Sequence, residues 1–97
     1  SVVSNSYKSI SITNPSNDST VRSAPGNVTI SVATDPTLMP GDQIRLIVNG
    51  VEKKTAAQTA FSIQNMDRGT HTITAGIVKP DGRLILMSQP SVFHLKR

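Results

Sequence analysis

The chain has no cysteine and no tryptophan, and its aromatic residues are one tyrosine and two phenylalanines in 97 residues. Without cysteine, no disulfide can staple the fold and no thiolate metal site is possible. The scarcity of aromatic residues predicts a core built mainly from Ile, Val and Leu. No segment approaches the ~20 consecutive apolar residues of a membrane-spanning helix, so we expect no membrane insertion.

The chain also lacks a dense run of charge of either sign. The formal net charge is +4, from 10 basic and 6 acidic residues, and the basic residues are spread out with only two adjacent pairs. A nucleic-acid surface requires a dense basic stripe with interleaved aromatic residues, so we predict no nucleic-acid partner. The spread favours solubilising charge, although its sign would also suit an anionic wall or membrane surface.

The strongest pattern present is polar-apolar alternation in the last third of the chain. It predicts a long strand over Thr70–Lys79 with Ile73, Ala75 and Ile77 facing inward. Pro80-Asp81-Gly82 then reverses the chain, and a final strand over Arg83–Leu95 is interrupted near Ser88-Gln89-Pro90. This arrangement predicts a β-hairpin.

Shorter segments before the hairpin keep the same period of two. The predicted strands are Lys8–Thr13, Val28–Thr34, Gln43–Asn49, Val51–Lys54 and Ala60–Gln64, with a short edge piece at Thr20–Arg22. Asn49-Gly50 is the favoured pair for a two-residue hairpin turn. About seven strands without helical periodicity predict an all-β fold, an immunoglobulin-like sandwich of two antiparallel sheets without a disulfide.

The length fits one domain. We assign residues 1–7 to a disordered N-terminal segment and residues 8–97 to the sandwich domain. The sequence begins with Ser1 rather than Met, which suggests a mature fragment or an excised domain whose targeting segment lies outside it.

Three motifs resemble those of bacterial immunoglobulin-like and fibronectin-III-like domains. They are Ser11–Val21, with its I-x-x-P-x-x-x-x-x-V spacing, the corner Met66–Ile73, and the terminal hairpin from Asp81-Gly82-Arg83 to Ser88–Leu95. The nearest likeness is to an immunoglobulin-like C-terminal domain of uncharacterised Gram-negative envelope proteins. The chain is also similar to the small β-domain that ends some penicillin-binding proteins.

The resemblance implies export to the periplasm or cell surface and a non-catalytic accessory role, as a spacer or as a module that binds protein or cell wall. It implies no cofactor and no catalytic residues. Such scaffolds bind through loops or by strand addition. We therefore take Leu38 and Met39, in the loop from Asp35 to Asp42, and Asp67 and Arg68, in the loop from Asn65 to Gly69, as candidate interaction residues. The isolated domain is expected to be a monomer.

His71 is the residue most open to a chemical interpretation. Counting by twos places it on the face of Ile73, where a corner side chain would bond a backbone carbonyl between Asn65 and Arg68. Gly69 would supply a positive φ or a close backbone approach at this structural corner. A triad of Asp67, His71 and a serine such as Ser88 is conceivable, but no nucleophile-elbow motif accompanies it. We predict that the protein is not an enzyme.

Other chemistries are less well supported by the spacing. His94 with Met39, Met66 and Met87 matches no copper pattern, and the aspartates form no alternating D-x-D array for calcium. The alternative function is a carbohydrate-binding module on a secreted hydrolase. Sugar stacking needs exposed aromatic rings, whereas we place Tyr7 near the frayed N-terminus and both phenylalanines in the core.

Overall fold

A computed structural model describes residues 7–96, which form nine β-strands and no helix. Residues 1–6 of the segment predicted to be disordered lie outside the described residues. The strands are β1 Ser9–Asn14, β2 Ser19–Arg22, β3 Val28–Asp35, β4 Gln43–Val48, β5 Val51–Ala56, β6 Ala60–Ile63, β7 Gly69–Val78, β8 Leu84–Met87 and β9 Ser91–Lys96.

The strands form two sheets, as the alternating sequence pattern predicts. The small sheet has the order β1-β3-β6, and the large sheet has the order β2-β9-β7-β4-β5, with β8 also paired to β7. Apolar residues of both sheets meet in one core that includes Ile30, Leu46, Phe61, Ile73 and Phe93. The predicted all-β, two-sheet sandwich is therefore confirmed.

Residues 7–96 form nine strands rather than about seven, for two reasons that the sequence partly anticipates. The short edge piece around Thr20–Arg22 forms a strand of its own, β2. The last predicted strand is split into β8 and β9 between Met87 and Ser91. Both halves remain paired with β7, and Ser88 Oγ accepts the Ala75 N–H at 3.0 Å where the regular ladder is interrupted.

One pairing differs from the predicted antiparallel sheets, because β2 runs parallel to β9. The turn after β1 binds to the start of β9 and carries the chain from the small sheet to the large one. Asp18 donates its N–H to the Val92 carbonyl, and Val92 donates its N–H to Asn17 Oδ1. The chain therefore enters β2 at the same level as the start of β9 and follows it in the same direction.

Tyr7 contradicts its assignment to the disordered segment. Its side chain is only 8% exposed and belongs to the core cluster. The signal missed in the sequence is the polar tip of the tyrosine, which can reach a buried hydrogen-bond partner while the ring packs against apolar residues.

The turn between β4 and β5 follows the prediction from its sequence. Asn49 and Gly50 have φ values of 53° and 84°, and Val48 pairs directly with Val51 across the turn. The strand that returns, β5, is the edge of the large sheet, and its two lysines are exposed. Charged side chains on an exposed edge disfavour pairing with another chain.

Candidate functional site

The corner at the start of β7 is held by the imidazole of His71. Its Nε2 lies 2.7 Å from the carbonyl oxygen of Asp67, which falls in the predicted segment from Asn65 to Arg68. Its Nδ1 lies 3.0 Å from Asn49 Nδ2. Asn49 Oδ1 accepts the N–H of Thr72 at 2.9 Å, which orients the amide so that its NH₂ group faces the ring. The His71 ring also packs against Phe93, with 5.5 Å between the ring centroids.

These contacts determine which tautomer of the neutral imidazole the corner accommodates. Because the Asn49 amide donates to Nδ1, that nitrogen must be an acceptor, and the proton lies on Nε2 and points at the Asp67 carbonyl. Both ring nitrogens are thus engaged by the protein itself. A histidine in this position has no free nitrogen with which to take a proton from a nucleophile.

The structure does not bring the conceivable triad together. Ser88 lies beside Ala75, and its hydroxyl accepts the Ala75 N–H and donates to the Gln89 carbonyl. Ala75 is four residues along β7 from His71, a separation of ~13 Å in an extended strand. The carboxylate of Asp67 makes no bond to the ring, since the corner uses the backbone carbonyl of that residue.

The two candidate interaction loops lie at opposite ends of the sandwich. Gln43, which follows the first loop, pairs with Val78 at the end of β7, whereas Gly69, which follows the second loop, begins β7. An extended strand of this length separates its ends by ~30 Å. Leu38 and Met39 therefore cannot form one surface with Asp67 and Arg68.

At the first of these ends, a buried polar cluster fastens the loop to the sandwich. Tyr7 donates its hydroxyl to Asp42 Oδ2 at 2.6 Å and accepts the Met39 N–H at 2.7 Å. Lys79 Nζ lies 3.0 Å from Asp42 Oδ1, and the Asp42 side chain is only 1% exposed. Leu38 and Met39 are half-buried against the core, so this loop is held by its own packing.

The cluster shifts the ionisation of both acidic partners. Burial acts to raise the pKa of Asp42, but the hydrogen bonds from Tyr7 and Lys79 and the charge of Lys79 outweigh it, so the pKa lies below the usual aspartyl value. Burial and the hydrogen bond to Asp42 raise the pKa of Tyr7, against the opposing effect of the Met39 N–H. The folded cluster thus favours a charged Asp42 and a neutral Tyr7.

The residues considered for metal binding remain scattered in the described part of the chain. Met39 and Met66 lie in the loops at opposite ends, and His94 Nδ1 contacts the Thr70 hydroxyl at 3.1 Å. Across residues 7–96, no group of three or more His, Asp or Glu side chains is close enough to hold a metal ion.

At the second end, three basic side chains form what we call the cationic row: Arg22, Lys96 and Arg68. Arg22 pairs with Lys96 between β2 and β9, and Leu95 pairs with Gly69 between β9 and β7. One further step along this ladder brings Arg68 beside Lys96. All three side chains line one open cavity of about 470 Å³, together with Gly69 and Leu95.

Hydrogen bonds fix the backbone that carries the cationic row. The Ser23 N–H donates to the Lys96 carbonyl, and the Met66 N–H donates to the Gly26 carbonyl at 2.9 Å. Gly26 has a φ of 80°, and a Cβ atom there would clash with the Met66 backbone. The loop that carries Arg68 is therefore packed closely against the turn that follows β2, and it is also bonded to His71.

Sequence reasoning identified Arg68 but not its two neighbours. Arg22 and Lys96 are 46 and 28 residues away from it in the sequence (68 − 22 and 96 − 68), so a search for charge runs cannot detect the row. The signal that could have found it is strand register. Each cation lies at the same end of one of three adjacent strands, and that adjacency requires the parallel β2–β9 pairing.

Comparison with known proteins supports the architecture. A family model described as a bacterial Ig domain matches residues 9–75. The fibronectin(III)-like modules of CbhA from Clostridium thermocellum are similar in structure, with a TM-score of 0.74 and 18% identity, over 90% of this chain and 94% of that one. None of the curated proteins compared with the chain matches it. The narrower likenesses to a Gram-negative envelope C-terminal domain and to a penicillin-binding protein domain stay predictions.

We predict that Asn49→Gly lowers the free energy of unfolding by about 1–2 kcal/mol, because two hydrogen bonds are lost. Glycine accepts the positive φ, so backbone strain does not contribute. Asn65→Gly is the matched control, since Asn65 also has a positive φ (61°) but its side chain has no hydrogen-bond partner among residues 7–96. Urea unfolding should show a loss for the first variant and a change within about 0.5 kcal/mol for the second. Equal effects would contradict the role given to the corner.

We also predict a specific pH dependence of stability from Asp42. Because folding lowers its pKa, the charged carboxylate stabilises the fold above about pH 4 and loses that contribution as the pH falls through the lowered value. Asp42→Asn should cost about 2 kcal/mol at pH 7. Urea titrations between pH 7 and pH 2.5 should show the wild-type and variant stabilities converging in acid. A difference that stays constant over this range would refute the assignment.

Proposed function

The chain belongs to the bacterial Ig domain family, and from this premise we propose that it is a non-catalytic accessory module of a larger bacterial envelope protein. Domains of the bacterial Ig-like and fibronectin III-like kind are often extracellular or surface modules, which supports a periplasmic or cell-surface location. In this role the domain spaces other parts of its protein and contacts a protein or cell-wall component. We expect the isolated domain to be a monomer.

The way the structure uses its reactive side chains supports the non-catalytic part of the proposal. Both ring nitrogens of His71 form hydrogen bonds within the corner, and the Ser88 hydroxyl forms its hydrogen bonds at the interrupted ladder. Asp42, the one fully buried carboxylate among residues 7–96, is bonded to Tyr7 and Lys79. These three residues, which could serve as base, nucleophile and acid in an enzyme, are here bound to the fold itself.

The end of the sandwich that carries Asp67 and Arg68 is the proposed contact surface. Both residues are exposed on a loop whose backbone is anchored by His71 and Gly26. A rigid scaffold that presents exposed charged side chains is a common basis for binding. Leu38 and Met39 are weaker candidates, because their side chains already pack against the core. The cationic row at the Arg68 end is the single observation that carries this choice.

A carbohydrate-binding module attached to a secreted hydrolase remains the alternative function. Its usual means of recognition, aromatic stacking, is not available on this surface. The only aromatic residues of the chain are Tyr7, Phe61 and Phe93, with exposures of 8%, 1% and 0%. A glycan array that gives clear micromolar hits would favour the carbohydrate alternative over the proposed role.

The location can be tested in the source bacterium with an antibody raised against the 97-residue chain. We expect protease added to intact cells or spheroplasts to degrade the protein that carries the domain. A cytoplasmic marker should stay intact in the same sample. Protection of the domain until the inner membrane is lysed would overturn the extracytoplasmic proposal.

The contact surface can be tested by cosedimentation of the chain with purified envelope from the same bacterium. The double variant Asp67→Ala, Arg68→Ala should reduce the bound fraction at least threefold. Asp81→Ala, Arg83→Ala is the matched control, because it also removes one exposed acid and one exposed base, from the turn at the other end. Unchanged binding of the first variant, or equal loss in both, would contradict the assigned surface.

A further inference from the structure

The cationic row brings together three basic side chains that have no counter-charge, whereas three other basic residues of the described chain are paired. Arg45, Lys79 and Arg83 each lie within 4.0 Å of a carboxylate. None of the three side chains in the row forms an ion pair with any residue in the range 7–96. Asp67 is exposed and does not line the cavity.

The row is also built to hold its charges close together. Neighbouring strands are ~4.8 Å apart, so three adjacent strands place the bases of the three side chains within ~10 Å of one another. The like charges on these side chains repel one another, and the β2–β9 and β9–β7 ladders prevent the strands beneath them from separating to relieve that repulsion. An anion placed among them would relieve that repulsion.

We propose that the cavity at the cationic row binds phosphate groups that carry two or more negative charges in close succession. Arg22 and Arg68 flank Lys96, so two planar guanidinium groups with paired N–H donors stand on either side of a compact ammonium group. Guanidinium groups match the oxygen spacing of a phosphate and bind it through parallel hydrogen bonds. A single carboxylate would leave the row only partly neutralised.

The next row of side chains on the same face supports this ligand chemistry. Thr20 and Thr70 flank His94 there, two residues along each strand from the cations. The Thr70 hydroxyl contacts His94 Nδ1 at 3.1 Å, and His94 Nε2 lies 3.9 Å from Asp18 Oδ1, so this row is polar and already ordered. A second phosphate group in a chain or a diphosphate would meet the hydroxyl groups of Thr20 and Thr70 and the imidazole of His94, with the Asp18 carboxylate beyond them on the side away from the cations.

Phosphate of this kind could be a free ion or part of a phosphodiester polymer, and the test uses one probe for each. Inorganic pyrophosphate and a short synthetic poly(glycerol phosphate) are titrated into the 97-residue chain at low ionic strength. Binding is followed by amide chemical shifts and by calorimetry. We expect the largest shifts at residues 22, 68–69 and 95–96, and an affinity that falls as salt is added. Tighter binding of pyrophosphate identifies a free ion, and tighter binding of the polymer identifies a chain of phosphodiesters.

Two triple variants with the same net charge separate a site from general attraction. Arg22→Gln, Arg68→Gln, Lys96→Gln should weaken binding of the better probe at least tenfold. Lys53→Gln, Lys54→Gln, Arg83→Gln should leave it within twofold, because those cations lie on the β5 edge and the far turn. Equal weakening in both variants, shifts spread over all basic residues, or no binding of either probe would overturn the proposal. Folding of each variant is checked by its amide spectrum, and Lys96→Gln alone, expected to weaken binding at least twofold, serves if the triple variant unfolds.

Discussion

The register of β7 against its neighbours is the constraint on which the rest of the structure depends. This strand pairs with β4 on one side and with β9 and β8 on the other. Its register places Ile73, Ala75 and Ile77 in the core, and a slip of one residue would turn all three toward solvent. The same register sets His71 against Phe93 and brings Arg68 to the level of Lys96. Core, corner and cationic row are therefore consequences of one alignment.

Each end of β7 is secured by a different kind of interaction, and the difference bears on function. At the C-terminal end of β7, beyond Val78, Lys79 joins Tyr7 and Asp42 in a buried cluster. The polar groups of this cluster bond to one another, which leaves few of them to bind a partner. At the start of β7, the corner residues His71 and Asn49 hold only the backbone and leave the side chain of Arg68 outside. The C-terminal end of β7 contributes stability, whereas its start combines a rigid backbone with cations that have no ion-pair partner among residues 7–96. This asymmetry favours the second end as the binding surface.

The sequence predicted the features that arise from local patterns. The polar-apolar alternation predicted which residues of β3, β4 and β7 face the core, and the Asn49-Gly50 pair predicted the turn between β4 and β5. Both features are determined within a few residues. The features it missed depend on contacts distant in sequence. The burial of Tyr7 needs Asp42, which is 35 residues away, and the parallel β2–β9 pairing needs the turn at Asn17 and Asp18 to bind the start of β9. The cationic row depends on that pairing, so the sequence indicated only Arg68, of its three residues, as a candidate for interaction.

Cross-strand nuclear Overhauser effects in the isolated chain test the register of β7 most directly. The account predicts backbone contacts that link His71 with Phe93 and Ile73 with Ser91 on one side of the strand, and Ile73 with Val48 on the other. These contacts should appear together in one set of spectra. Contacts displaced by one residue, such as Thr72 with Phe93, would contradict the alignment and with it the placement of the core, the corner and the cationic row.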